Sequence, residues 1–309
     1  LVVSEIMYHA TNPTAAEQAI AAALSPPQAW DDDSFDYLEL RNVSANPVDL
    51  TGLQFTQGFD FVFPAGTMLN AGANILVVQD LAAFTARYGA GRPVAGAWQA
   101  TDKLSNGGDT LTLQFGQVTT PVFSFSYDDN PALNWPAAPD GGGASLVRIA
   151  PEDTARDPNL GVNWRSSLTT GGTPGGDDRQ DFAGWLTAHG QSGANGDTDR
   201  DGLENVLEYM MGGDPVADSS ALLPSGQFQF FTVNDVTAAY PTLTFRRANA
   251  AEEFTQHVEF STDLTTWPLT GVQVSSIDNG DGTRTETWRS SVSVEAGQRM
   301  FGRVRFTSP

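Results

Sequence analysis

Three aspartates at alternate positions, Asp197, Asp199 and Asp201, are followed by Gly202, Leu203, Asn205 and Glu208 in the stretch DTDRDGLENVLE. Counted from Asp197, side-chain oxygens fall at positions one, three, five, nine and twelve, with a glycine at six and the Leu203 carbonyl at seven. A hard cation takes six to eight oxygens, and a loop that turns sharply at a glycine can aim alternate side chains at one centre. Glu208 can close such a shell with both oxygens. Four carboxylates around one divalent ion leave a local charge of about −2, so their mutual repulsion is relieved by the metal. The spacing therefore predicts a calcium site with Asp197, Asp199, Asp201, Leu203, Asn205 and Glu208 as ligands, in a segment that is loose without the ion.

The flanks say which kind of loop this is. Leu203, Val206, Leu207, Met210 and Met211 lie at helical spacing, and Gly212-Gly213 followed by Pro215 ends that helix. Upstream, Asp181 can cap a short helix carrying Phe182, Trp185 and Leu186, but Gly190, Gly193 and Gly196 interrupt the chain before Asp197. No entering helix abuts the loop, as it would in an EF-hand. The stretch resembles the DxDxDG loops of dockerin and thrombospondin type 3 repeats. An acidic, glycine-rich linker is the plain alternative.

Acidic residues outnumber basic ones 37 to 16, giving a net charge of −21 over 309 residues. Such a field disfavours nucleic acid and anionic membrane and suits a cation-rich exterior. There is no cysteine, which excludes disulfides and thiolate metal sites, and Lys103 is the single lysine. No apolar run reaches membrane-spanning length. Leu1 opens a strand-like pattern where a signal peptide would need a basic start, as expected of a mature form or a trimmed piece. His9, His189 and His257 sit apart, without a GxSxG or HExxH motif, so no enzyme is expected.

The elements that must position the loop read as β. Strands are expected over Leu1–Met7, Tyr37–Asn42, Val48–Phe55 (two short ones), Asn74–Val78, Thr110–Phe115, Val122–Tyr127 and Ala144–Ile149, with FDFVFPAG at Phe59–Gly66 alternating aromatics outward and inward. Ala15–Leu24 is a helical insertion stopped by Pro26-Pro27. Asp31, Asp32 and Asp33 read as a solvated loop, with a second cation site as the lesser alternative. Short strands without alternating helices predict a sandwich or barrel. Asp140-Gly141-Gly142-Gly143 reads as a turn, and Trp135 and Trp164 as core or edge aromatics in preference to sugar platforms. Turn residues in Gly171–Asp178 mark a boundary. Beyond it, Phe228–Val233, Leu243–Arg247, Phe254–Ser261, Gly271–Ile277, Arg284–Ser290 and Met300–Phe306 are strands, with DNGDG at Asp278 as a hairpin turn.

The runs VSEIMYH, DYLELRN, LTGLQF, FPAGTMLNAG, LSNGGDTLTL, WPAAPDGGGASLVRI, NW and GGTPG, in that order over Leu1–Asp177, resemble a bacterial lamin tail domain. The resemblance implies an immunoglobulin-like sandwich of secreted bacterial proteins, found beside hydrolase or spore-coat-H-like kinase domains and without known catalytic residues. VEFSTDLTTW from Val258 is similar to C-terminal β modules of large secreted bacterial proteins. The expected fold is mainly β: a lamin tail-like sandwich over 1–177, a helical calcium-binding segment over 178–218 whose small apolar faces pack on a neighbouring domain, and a β-sandwich over 219–309. The expected function is a non-catalytic secreted or cell-surface structural or adhesive protein with a calcium-rigidified joint, associating with itself in a filament or with other surface proteins, without nucleic acid or membrane insertion. The alternatives are an accessory region of a larger extracellular enzyme and a carbohydrate-binding module.

Overall fold

The computed structural model describes residues 1–99, 101–116, 120–295 and 297–307. They divide into two compact units, Leu1–Asp178 and Arg179–Pro309. Both are mainly β.

The first unit holds strands β1 (Val2–Met7), β2 (Tyr37–Arg41), β3 (Val48–Asp49), β4 (Leu53–Gln57), β5 (Phe61–Val62), β6 (Met68–Leu69), β7 (Asn74–Val78), β8 (Val94–Ala97), β9 (Asp109–Phe115), β10 (Phe123–Tyr127), β11 (Leu146–Arg148) and β12 (Trp164–Ser166). A six-stranded sheet, β12-β11-β1-β2-β7-β8, faces a four-stranded one, β10-β9-β4-β5. Ile6, Leu38, Leu40, Phe55, Leu111 and Leu113 fill the space between them, each at most 1% exposed. Each such side chain contributes about 1.5–3 kcal/mol by leaving water. Side chains alternate along a strand, so Tyr37 and Glu39 leave β2 on the face opposite to Leu38 and Leu40. On that outer face a second cluster gathers Met7, Phe35, Tyr37, Leu76, Val78 and Phe84.

Helix α1 (Ala15–Ala23) is set by a complete capping box between Thr14 and Glu17. Helix α2 (Leu81–Tyr88) departs from the expectation of β structure throughout this region. Asp80 caps it through Ala82 and Ala83, Phe84 and Tyr88 fall one turn apart on its buried side, and Gly89 ends it at φ 81°. It is the crossover that parallel pairing of β7 with β8 requires. The aromatics of Phe59–Gly66 also differ from expectation, for Phe59, Phe61 and Phe63 all point inward. Three aromatics at period two share one face, and Val62 takes the exposed positions' alternation instead. Trp164 opens β12, a strand that short-range pattern did not mark, and it stacks with Trp135 and Phe125 in the core.

The second unit begins with α3 (Phe182–Ala188), capped by Asp181, and α4 (Asn205–Met211), ended by Gly212 in the left-handed conformation. Strands β13 (Ser225–Val233), β14 (Val236–Ala248), β15 (Thr255–Ser261), β16 (Leu269–Asp278), β17 (Thr283–Ser290) and β18 (Phe301–Thr307) follow. They form one continuous sheet, β13-β14-β17-β16-β15-β18. The sheet folds over so that Leu243 and Phe245 of β14 meet Val258 and Phe260 of β15 and Val304 of β18, giving the sandwich-like core without two separate sheets. The Asp278 turn joins β16 to β17, with Gly280 and Gly282 at positive φ. Ser308 and Pro309, which follow β18, lie outside the described residues.

Candidate metal centre

Asp197, Asp199 and Asp201 converge, with one carboxylate oxygen from each within 4.8 Å of the others. The loop's own amides hold them there: Asp199 Oδ1 accepts from the Asp201 N–H at 3.2 Å, Asp197 Oδ2 from Gly202 at 3.2 Å, and Asp201 Oδ1 from Leu203 at 2.7 Å. Gly202 sits at φ 93°, a conformation that side chains rarely adopt, which is why position six is glycine. Arg200 is also in the left-handed region, at φ 64°.

Glu208 lies on α4, 1% exposed, and neither of its carboxylate oxygens has a hydrogen-bond partner. It stands outside the tight triad of aspartates but feels them. Burial first, then the charges of Asp199, Asp201, Asp197 and Asp214, push its carboxyl up to about 7. Asp199 is raised too, by burial first and then by the charges of Asp201 and Asp197, with the Asp201 N–H opposing, and its Oδ2 is buried without a partner. Three buried carboxylate oxygens without donors, both of Glu208 and one of Asp199, beside two more acids, cost free energy as they stand. The donor set fits a hard divalent cation, since oxygens are the only ligands offered and several of them are buried without a partner.

Leu203 is fully buried and fixes the loop to the unit's interior, leaving its carbonyl as the contribution to a shell. Asn205 has a second task. Its N–H donates to the Gly196 carbonyl at 2.7 Å and its Nδ2 to Gly193 at 2.9 Å, which ties the glycine-rich approach to the start of α4, while its Oδ1 is buried without a partner. Ser219 is a participant that spacing could not reveal, because it comes from beyond the turn after α4. Its N–H donates to Asp201 Oδ2 at 2.5 Å. Asp214, which helps to raise Glu208, lies in the same turn.

The helices on either side are fixed within the second unit. Trp185, Tyr209 and Met210 pack with Ala248, Ala251, Phe254 and Phe306. The Tyr209 hydroxyl donates to the Gln180 carbonyl. Arg247 of β14, 3% exposed, donates from Nη1 to the Met210 carbonyl at 3.2 Å and from Nη2 to that of Ala251, so the end of α4 rests on a buried guanidinium. Burial lowers Arg247 to about 9.

The histidines remain apart. His9 lies between Asp140 at 2.8 Å and Asp32 at 3.7 Å, His189 Nδ1 meets the Trp185 carbonyl at 2.8 Å, and His257 meets Thr307 at 3.1 Å. In the acidic run, Asp33 pairs with Lys103 at 3.0 Å and Asp31 accepts from Ser34. Among the described residues the only cluster of convergent ligands is the Asp197 triad. Trp135 and Trp164 are buried, Trp267 lies under the Arg303 guanidinium at 4.2 Å, and Trp288 donates to Glu286.

The order and pairing of β1 through β10 invite comparison with known families. Residues 1–128 match the lamin tail domain. That family has an immunoglobulin-like fold and is a non-catalytic structural or interaction domain. The match covers the first ten strands and stops within the first unit, although β11 continues the lamin tail sheet by pairing with β1 at Glu5 and Ile6. No curated protein and no solved structure matches the chain.

Proposed function

We propose that the protein is a non-catalytic structural or adhesive element of the secreted or cell-surface class, in which calcium held by Asp197, Asp199, Asp201, the Leu203 carbonyl, Asn205 and Glu208 stiffens the part of the second unit that the chain enters first. The observation that carries this reading is Glu208: a buried carboxylate with no donor for either oxygen, pushed up by the charges of three aspartates whose oxygens converge. Calcium would supply the charge that these acids lack. The chain's own contribution is to orient them through the Asp201, Gly202, Leu203 and Ser219 amides and to anchor α4 on Arg247.

The lamin tail match and the net charge of −21 support a role in binding or assembly in a calcium-rich exterior. An accessory region of a larger extracellular enzyme and a carbohydrate-binding module are the other readings of such a chain. Calorimetric titration of chelator-treated protein with calcium tests the site. One ion per chain is expected, and no heat with calcium would overturn the reading. Light scattering of concentrated protein with calcium tests assembly, for which growth in particle mass is expected and a constant monomer is the contrary result.

A further inference from the structure

The first unit buries two carboxylates on adjacent strands. Glu5 of β1 and Glu39 of β2 are directly opposed in register, each 2% exposed, on the outer face of the six-stranded sheet. Directly opposed side chains have Cβ atoms about 4.5–5.5 Å apart, so two full negative charges here repel strongly without water. Among the described residues neither has a cationic partner in hydrogen-bond contact. What they hold is the segment Gly172–Gly175.

The donors are divided unequally between them. Glu5 Oε1 alone accepts from the Tyr37 hydroxyl at 2.5 Å, the Ser145 hydroxyl at 2.5 Å and the Thr173 N–H at 2.9 Å. Three donors on one oxygen are the surroundings of an ionised carboxylate. Glu39 Oε2 accepts from the Gly175 N–H at 2.6 Å, while its Oε1 lies 2.7 Å from Ser4 Oγ, which is also 3.3 Å from the Glu39 carbonyl. If Glu39 Oε1 carries a proton, it donates to Ser4 Oγ, and the serine hydroxyl passes its own hydrogen to the Glu39 carbonyl. Every hydrogen is then used once. Gly172, at φ 74°, completes the fit, because a Cβ there would collide with Glu5 Oε1, the Tyr37 hydroxyl and Ser145 Oγ.

We propose that Glu5 and Glu39 share one proton, borne by Glu39, and that this acid and carboxylate together latch Gly172–Gly175 onto the sheet at the end of the first unit. The charged and titratable groups around the pair agree with one proton retained. Burial, then Glu5, push Glu39 up to about 8, with Arg41 opposing. Burial likewise raises Glu5, with Asp178 adding to it and the Ser145, Tyr37 and Thr173 donors opposing. Tyr37 and Tyr88, packed edge to face, are both driven upward by burial and stay neutral, Tyr37 as a donor to Glu5. Loss of the shared proton in mild alkali frees the latch.

The experiment uses the full chain. Carboxyl carbon NMR is expected to show Glu39 protonated at about pH 6 and ionising at about 8, with Glu5 charged throughout. Amide exchange at Thr173 and Gly175, corrected for intrinsic rates, should lose up to about tenfold protection per pH unit between about 4.5, the carboxyl's value once exposed, and about 8, and level off above it, because the opened segment releases the proton that the latch holds. Glu39→Gln, a permanent neutral mimic, should abolish that dependence. Glu5→Gln should reduce Thr173 protection at every pH. A charged Glu39 at about pH 6, the same pH dependence in Glu39→Gln as in wild type, or undiminished Thr173 protection in Glu5→Gln each overturns the proposal. Should Glu5→Gln fail to fold, the carbon titration and Glu39→Gln still decide it.

Discussion

Adding calcium to chelator-treated protein should raise the unfolding temperature of the second unit and leave that of the first in place. A ligand at one hundred times its Kd stabilises the folded state by about 2.7 kcal/mol. The second unit, Arg179–Pro309, has about 130 residues, and an unfolding entropy of about 2.1 cal/mol/K per residue converts that gain into roughly 10 °C. Differential scanning calorimetry with and without chelator reads this directly. The control is Asp199→Asn, which keeps an acceptor for the Asp201 N–H and removes one charge from the cluster. Its ion-free midpoint should equal or exceed that of wild type, since a repulsion has gone, while its response to calcium should shrink to less than about a third. The ion-free wild type should also depend on pH. Glu208 is raised to about 7 in the folded state, so its contribution is fully present below about 4.5, its unfolded value, and is lost as pH rises through 7. Calcium should remove that slope. An unmoved wild-type midpoint, or an Asp199→Asn variant that responds as wild type does, would refute the reasoning.

Other contacts make independent predictions. Arg165 and Asp178, at most 3% exposed as side chains and 2.5 Å apart, form a buried pair, so Arg165→Met should destabilise the first unit by about 3–5 kcal/mol in denaturant titration. Gly172→Ala meets both a positive φ and three oxygen atoms, and should cost more than about 2 kcal/mol by the same measurement. Glu17 is lowered to about 2, chiefly by its hydrogen bond from Arg87. A depressed carboxyl contributes stability above about 4.5 that is lost as pH falls through 2, and the loss here is at most about 3 kcal/mol. Arg87→Ala should flatten that acid limb of the stability curve.

Much of the strand pattern was legible because each half-buried strand carries its own alternation. Leu53–Gln57 is an example, buried at Leu53 and Phe55 and more open between them, whereas Asn74–Val78 shows instead as a short apolar run buried on both faces. Helix α2 was harder to see because LAAFTARY is short and lies between strands, although Asp80 before it and Gly89 after it are ordinary helix boundaries. The calcium-loop spacing located the three convergent aspartates, since those ligands lie within five residues. Ser219 and the Arg247 anchor were not legible, for they reach the site through tertiary contacts that no local period encodes. The Glu5 and Glu39 pair was hidden for the opposite reason: in an alternating strand a glutamate reads as the solvent side, and only the chain lying over that face reverses it.

Buried acids in so acidic a chain can be compared by how each is satisfied. Asp178 has Arg165, and Glu286 accepts from Arg284, Gln256 and Trp288. Glu5 has three donors. Among the described residues Asp36 and Glu208 are the buried acids left with the fewest donors, none for Glu208 and only the Ala10 N–H acting on Asp36. Their neighbours separate them. Around Asp36, which burial raises well above its ordinary value, Asp33 is taken by Lys103, Asp31 by Ser34, and Asp32 lies beside His9. A proton is then the simplest way to satisfy Asp36. Glu208 instead shares its surroundings with Asp199, whose Oδ2 is also buried and unpaired, and with two further aspartates whose oxygens converge. Protonating one carboxyl cannot relieve four acids, whereas one divalent cation can reach them together. On the readings proposed above, the same burial is met by a retained proton in the first unit and by a divalent cation in the second.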